Sequence, residues 1–242
     1  MILSRLHPIE EAVRSRPREI EWVLLDAGRR ERRLAEIARL CRESGIPLRR
    51  GDRAALLRIA PDNQGAVARL AVRGYLPEEE ALQGEPGRRF LLVLDGVEDP
   101  QNLGAVLRVA EGVGATVAVP ERGSAPLSDA VSRSSAGAVE RVRVVRVGNV
   151  RRFLERLKAN GFRVIGLDSA GADLFHVDLT GDLALVLGSE GKGMRRLVRE
   201  GCDLLARLPM KGEVASLNVA AAAAAASYEA LRQRDFSAPR VD

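Results

Sequence analysis

Three stretches of this 242-residue sequence set a few polar side chains among residues small enough for a backbone to come close to a ligand. The last, LPMKGEVASLNVAAAAAAASYEA from Leu208 to Ala230, is a Pro and Gly loop that opens directly into a helix made almost wholly of alanine. Such a junction lets backbone approach backbone or a bound group, and it reads as the floor of a binding site. Ser216 and Asn218 alternate around Leu217 there, so both side chains can converge on one target. In LVLGSEGKGM, Leu185 to Met194, Glu190 is a lone carboxylate among glycines at the end of the most apolar run. In LDGVEDPQNLGAVLRVAEGVGA, Leu94 to Ala115, Pro100 and Asn102 make a turn and an N-cap, and Leu103, Val106, Leu107 and Ala110 form the buried stripe of the helix that follows. Gly104 lies four residues before Arg108, so the missing side chain leaves room beside the guanidinium. A guanidinium, a carboxylate and a Ser/Asn pair could thus border one cavity. Taken singly, each stretch also has a plainer reading: an ordinary buried alanine helix, a solvated glutamate, a surface arginine on an amphipathic helix.

The elements that must position these groups follow a clear alternation from Phe90 onward. The apolar runs FLLVLD, ATVAVP, VRVVRV, FRVIGLD and LALVLG are separated by helical stretches, which predicts a parallel sheet covered on both faces. Ligands of such sheets bind at the carboxyl ends of the strands. Residues 1–76 read as a separate small α/β unit: a helix from about His7, a strand at Ile20 to Leu25, a helix from about Glu31 to Glu43, a strand around Ile46 to Leu48, a helix from Asp52 and a strand at Gly65 to Val72. Leu34, Ile37, Ala38 and Cys41 recur at helical spacing and should face its core, which makes Cys41 a packing residue. The stretch 77–89, PEEEALQGEPGRR, has the composition of a linker, so the second domain spans 90–242.

Several chemistries are excluded. A nucleoside-triphosphate loop needs G-x-x-x-x-G-K-[ST], whereas Lys192 is followed by Gly193, and no strand ends in G-x-G-x-x-G. Cys41 and Cys202 lie far apart without C-x-x-C spacing and with only two histidines to join them, which argues against zinc and against a disulfide. No apolar run approaches the roughly 18 to 20 residues that span a bilayer, and the start lacks a secretory apolar segment, so a cytoplasmic location without membrane contact is expected. The net charge of +5 suits a polyanionic partner. Its distribution says more: residues 1–76 hold 16 arginines and no lysine against 10 acidic residues, while the remainder is close to neutral. Planar guanidinium groups fork onto phosphates and stack on bases, so this face suits nucleic acid; a solvated helix surface is the alternative.

Together, N-x-G-x-x-x-R at Asn102 to Arg108, G-x-E-G-x-G at Gly188 to Gly193, and P-M-x-G-x-x-x-S-L-N at Pro209 to Asn218 resemble the three motifs of the SpoU/TrmH family. These are S-adenosyl-L-methionine-dependent RNA ribose 2′-O-methyltransferases of the α/β-knot (SPOUT) class. Ser135-Ala136-Gly137-Ala138 resembles a further family element. The resemblance covers about residues 90–232, and the N-terminal unit looks like the L30e-like substrate-binding domain often attached to such enzymes. The layout is most similar to the bacterial branch acting on guanosine of 23S rRNA. Two residues depart from that pattern: Asn63 stands where histidine is frequent, which bears on substrate, and Val109 stands where Thr or Ser is common.

The resemblance implies a deep trefoil knot in the C-terminal parallel-sheet domain, a homodimer with its active site near the interface, and RNA as the partner. It implies a cofactor held mostly by backbone around Leu187, Gly188, Leu208, Met210 and Leu217, with no metal. It assigns activation of the 2′-hydroxyl to Arg108, with Asn102, Glu190, Ser216 and Asn218 orienting the groups. Arginine does not normally give up its proton, so a charged clamp that steadies developing alkoxide is favoured over a base. The alternatives in substrate are transfer RNA or an adenosine of ribosomal RNA. Outside catalysis the alternative is a silent RNA-binding relative.

Overall fold

The computed structural model describes residues 2–70, 74–212 and 216–236, and the chain divides after residue 73 into two compact units. The first contains β1 (Ile2–Leu3), α1 (Leu6–Ser15), β2 (Ile20–Asp26), α2 (Arg32–Glu43), β3 (Leu48–Gly51), α3 (Arg53–Ile59) and β4 (Ala66–Leu70). Its sheet runs β1-β4-β2-β3, with β2 and β3 parallel and β4 antiparallel to β2 and β1. Leu34, Ile37, Ala38 and Cys41 form one face of α2 and are buried with Ile9 and Val13 of α1 on one side of the sheet. Burial pushes the Cys41 thiol up to about 11, as desolvation of a thiolate must. Leu56 of α3 covers the other face with Leu24 and Val67.

The second unit contains β5 (Phe90–Asp95), α4 (Pro100–Val113), β6 (Thr116–Pro120), α5 (Asp129–Ser134), β7 (Val144–Val147), α6 (Val150–Ala159), β8 (Arg163–Asp173), β9 (Leu183–Gly188), α7 (Arg196–Arg199), β10 (Leu204–Arg207) and α8 (Val219–Asp235). The sheet order is β10-β8-β9-β5-β6-β7 and every pairing is parallel. Strand β5 shows why its sequence is apolar throughout. Phe90, Leu92 and Leu94 point to the face covered by α4 and α8, while Leu91 and Val93 point to the face covered by Phe153, Leu154 and Leu157 of α6. With no polar face to expose, alternation gives way to a continuous run. On α8 the buried residues Ala223, Ala226 and Ala230 are small, so its axis lies close to α4.

The structure differs from the sequence reading in a few places. Strand β3 starts two residues and ends three residues later than expected, because Leu48 to Gly51 pairs with Val23 to Asp26 and sets the register. Strand β10 is absent from the sequence pattern, its four residues being too few to stand out as an apolar run. The stretch 77–89 packs on the second unit: Leu76 bridges to Val145, a 3₁₀ turn at Glu78–Leu82 buries Ala81, and Arg89 bonds Asp182. Composition hid these anchors among Pro, Gly and charge. The last two residues of the strand expected over 65–72, and residues 213–215 of the Pro and Gly loop, lie outside the described residues.

Candidate active site

The site is set by register. At the carboxyl ends of the two central strands Asp95 of β5 pairs with Gly188 of β9, so the loops that follow them start side by side. Asp95 is 1% exposed, and its carboxylate accepts from the backbone N–H and the Nε of Arg195, each at 2.7 Å. This pair of hydrogen bonds ties down the far end of the glycine loop. The near end is tied by Ser189 and Gly193, whose N–H and C=O groups pair at 3.1 and 2.9 Å. A side chain at Gly188 would fall on the backbone of Gly193 and Met194, so only glycine lets the loop close back on its strand. Sequence reasoning missed Asp95 and Arg195; the available signal was a charged residue finishing an otherwise apolar run.

Asn218 is the N-cap of α8, its Oδ1 accepting from Ala220 N at 2.8 Å and from Ala221 N at 3.4 Å. Because helix N–H groups face the oxygen, the amide nitrogen must face the other way. That nitrogen donates to Asn102 Oδ1 at 2.9 Å and to Glu190 Oε1. One cap residue, itself after β10, therefore holds together a side chain from the first turn of α4 and one from the loop after β9. It also fixes the amide of Asn102, oxygen inward, and leaves the second oxygen of Glu190 free to accept.

Two cavities meet at this wall. The first, of about 400 Å³, is lined by Leu187, Gly188, Glu190, Leu208, Met210, Ser216 and Leu217 among others. Met210 and Leu217 keep 39% and 41% of their surface exposed at its edge. The second, of about 570 Å³, is lined by Asp95, Asn102, Glu190 and Arg195 with neighbouring loop residues, and shares Ser189, Glu190, Lys192, Gly193 and Val219 with the first.

Arg108 lines neither cavity: it is exposed on α4 and makes no ion pair among the described residues. It shares a helix face with Gly112, against which the Tyr228 hydroxyl of α8 rests. Two expectations need correction. The cap of α4 is Asp99, which accepts from Gln101 N at 3.0 Å, and Asn102 is the third helical residue, its side chain spent on Asn218. Gly104 makes no room for Arg108; an added Cβ there would strike Ser134 Oγ and the backbone N of Ser135. Its bareness admits the Ser134-Ser135 segment, whose Ser134 Oγ donates to Pro100 O at 2.9 Å and so pins the start of α4.

Residues 89–228 match the model of the SpoU rRNA Methylase family, and residues 6–76 match the RNA 2'-O ribose methyltransferase substrate binding domain. The chain is 42% identical over 235 residues to the 23S rRNA (guanosine-2'-O-)-methyltransferase RlmB of Pseudomonas aeruginosa, with 95% of each chain covered. To the protein of the same name from Xanthomonas campestris it is 41% identical over 236 residues, again with 95% of each covered. Among solved structures it resembles the SpoU methyltransferase AviRb from Streptomyces viridochromogenes in complex with AdoMet, with a TM-score of 0.79, 26% identity, and 99% and 91% of the two chains covered. The AdoMet-bound rRNA methyltransferase from Sinorhizobium meliloti superposes with a TM-score of 0.81 at 23% identity, covering 96% and 86%. With more than half its length matched by the family model and relatives aligned nearly end to end, the chain belongs to the SpoU rRNA methylase family, and its second unit has the parallel-sheet α/β fold of the solved SpoU methyltransferases.

Proposed function

We propose that this chain is an S-adenosyl-L-methionine-dependent methyltransferase acting on the ribose 2′-hydroxyl of a guanosine in 23S rRNA, in the cytoplasm and as a homodimer. The observation that carries the reading is the Asn218 amide, which gathers Asn102 and Glu190 at the wall between two cavities. The names of the relatives supply the substrate, and among the described residues no helix is long and apolar enough to cross a membrane.

The first cavity fits the cofactor. Its volume is within the usual range for small-molecule sites. Leu187, Leu208, Met210 and Leu217 offer apolar contact for an adenine ring, and the closure of the loop on bare Gly188 keeps one wall thin. When bound, the cofactor supplies an electrophilic methyl group on a sulfonium. The residues of the chain then have to present the hydroxyl and deal with its proton. The free oxygen of Glu190 accepts from a ribose hydroxyl, and the amide nitrogen of Asn102, turned outward by Asn218, donates to a ribose or phosphate oxygen. Ser216 lines the same cavity and adds a hydroxyl able to donate or accept. Such positioning is sensitive to displacements of an ångström or less.

Arg108 completes the reading through the dimer. It lies one helical turn before Gly112, where the Tyr228 hydroxyl of α8 rests, and on α8 the exposed Ala221 and Ala225 leave a bare surface that a second copy can approach closely. In a two-fold dimer built on that face, Arg108 reaches the cavities of the partner and stays charged there, steadying the developing alkoxide. Mixing Arg108→Ala with Asn218→Asp protein should then restore about a quarter of normal turnover, since half the dimers carry one intact composite site; no recovery despite subunit exchange would place Arg108 in its own chain's site. The first unit, with its arginine excess, holds the RNA. The direct test maps ribose methylation of unmodified 23S rRNA incubated with protein and labelled cofactor; absence of any 2′-O-methyl product would overturn the assignment.

A further inference from the structure

The second cavity contains more charge than the transfer of a methyl group needs. Of its carboxylates, Asp95 is committed to Arg195, Asp99 caps α4 and Glu190 accepts from Asn218. Glu98 alone has no hydrogen bond or ion pair among the described residues. Arg122, on the loop after β6, is likewise exposed and unpaired among them. The two are neighbours, because Glu98 Oε1 would lie 3.5 Å from a Cβ at Gly123, the residue after Arg122. An acceptor-only group and a donor-only fork thus flank one cavity without neutralising each other.

That pairing has a chemical match. Guanine presents two adjacent donors, N1–H and the exocyclic amino group, on one edge, and two acceptors, O6 and N7, on the adjoining one. A carboxylate takes the first pair and a guanidinium the second. Adenine would turn its N1 lone pair toward the carboxylate and its amino group toward the guanidinium, so the first contact becomes repulsive and the second keeps only N7 as an acceptor. The cavity also shares Glu190 with the cofactor cavity, so a base seated there leaves its ribose at the wall where Asn102 and Glu190 meet. We propose that the cavity bordered by Glu98 and Arg122 seats the base of the target nucleotide and reads it as guanine, Glu98 accepting from N1–H and the amino group, Arg122 donating to O6 and N7. This inference rests on the methyltransferase reading above.

The test uses the full chain and a 23S rRNA fragment that it methylates, remade with inosine or 7-deazaguanosine at the modified position. Inosine lacks only the amino group. The wild-type protein should use it with kcat/KM about tenfold or more below guanosine, within the range of a lost base contact. In Glu98→Ala the guanosine value should fall until the two substrates differ by less than about twofold, with cofactor affinity by titration unchanged. Arg122→Ala should erase discrimination against 7-deazaguanosine and leave the inosine penalty in place. A wild-type protein indifferent to inosine, or a Glu98→Ala protein that keeps the full guanosine preference, would overturn the proposal. A wild-type protein that methylates no RNA would instead remove the reading on which it rests, and the proposal with it.

Discussion

The two ends of the parallel sheet each hold an Asp–Arg pair between β5 and β9, and they are built for opposite purposes. At the amino end, Asp182 and Arg89 are both largely buried and 2.6 Å apart. The carboxylate also accepts from the backbone N–H groups of Gly87 and Arg89, at 2.9 Å each. Arg89 donates to Leu82 O and Asn160 O and lies over the Phe162 ring. At the carboxyl end Asp95 is as buried, but the side chain of Arg195 is 61% exposed. Around it Glu98, Arg122 and Lys192 line a cavity with hydrogen-bonding capacity left over. The amino end spends its polar groups on the fold, the Arg89 Nε excepted; the carboxyl end withholds several. A buried pair acts as a staple where most of its hydrogen-bonding capacity is used within the chain, and capacity left over around a cavity marks where a ligand can bind.

The strongest way to break this contrast is Asn218→Asp. Aspartate caps a helix as well as asparagine, so the thermal midpoint should hold. The donors to Asn102 and Glu190 are lost, and a second carboxylate faces Glu190. Turnover on 23S rRNA should fall on the order of 100-fold or more. If activity survives, the amide does not organise the site. Asp95→Asn should have a smaller effect, about tenfold in kcat/KM, because one acceptor remains for Arg195 while the charge that holds its guanidinium is gone. Loss of activity should come with raised mobility of residues 189–195, read by hydrogen exchange. Unaltered exchange with unaltered rate would show that the loop needs no tether.

Most of the sheet could be read from sequence because burial on both faces writes itself as continuous apolar runs, as in Phe90 to Leu94 and Leu183 to Leu187. The motif residues were legible as loops that belong together, and Asn102, Glu190 and Asn218 do touch. What each one does inside that contact was not legible. Helical spacing put Gly104 beside Arg108, yet the neighbour that needs the missing Cβ is Ser134, thirty residues on and brought there by tertiary packing. Asparagine favours caps, which points to Asn102, but Asp99 before Pro100 competes for the same place and wins. Arg89 and Asp182 lie 93 residues apart and gave no sequence signal, since a pair formed between strand starts leaves no periodicity.

The amino-end pair supplies the converse test, where activity should not change at all while stability does. Burial by itself would raise the Asp182 carboxyl. The hydrogen bonds from the Arg89 side chain and from the N–H groups of Gly87 and Arg89 outweigh it and hold the group at about 2, against an ordinary 3.8. A carboxylate depressed in the folded state contributes stability that is complete above its unfolded value and is lost as pH falls through its folded one. The contribution is about 2 to 3 kcal/mol at neutral pH, and it should fade between pH values of about 4 and 2. Asp182→Asn protein should therefore unfold at a lower midpoint than the wild type at pH 7. The gap should persist at pH 5, begin to close below about pH 4, and leave turnover at 25 °C untouched. A gap that stays constant down to the acid limit would mean that Asp182 acts through shape and hydrogen bonding alone. A loss of turnover without a loss of stability would mean that the two ends of the sheet are coupled, and the division of labour between them would fail.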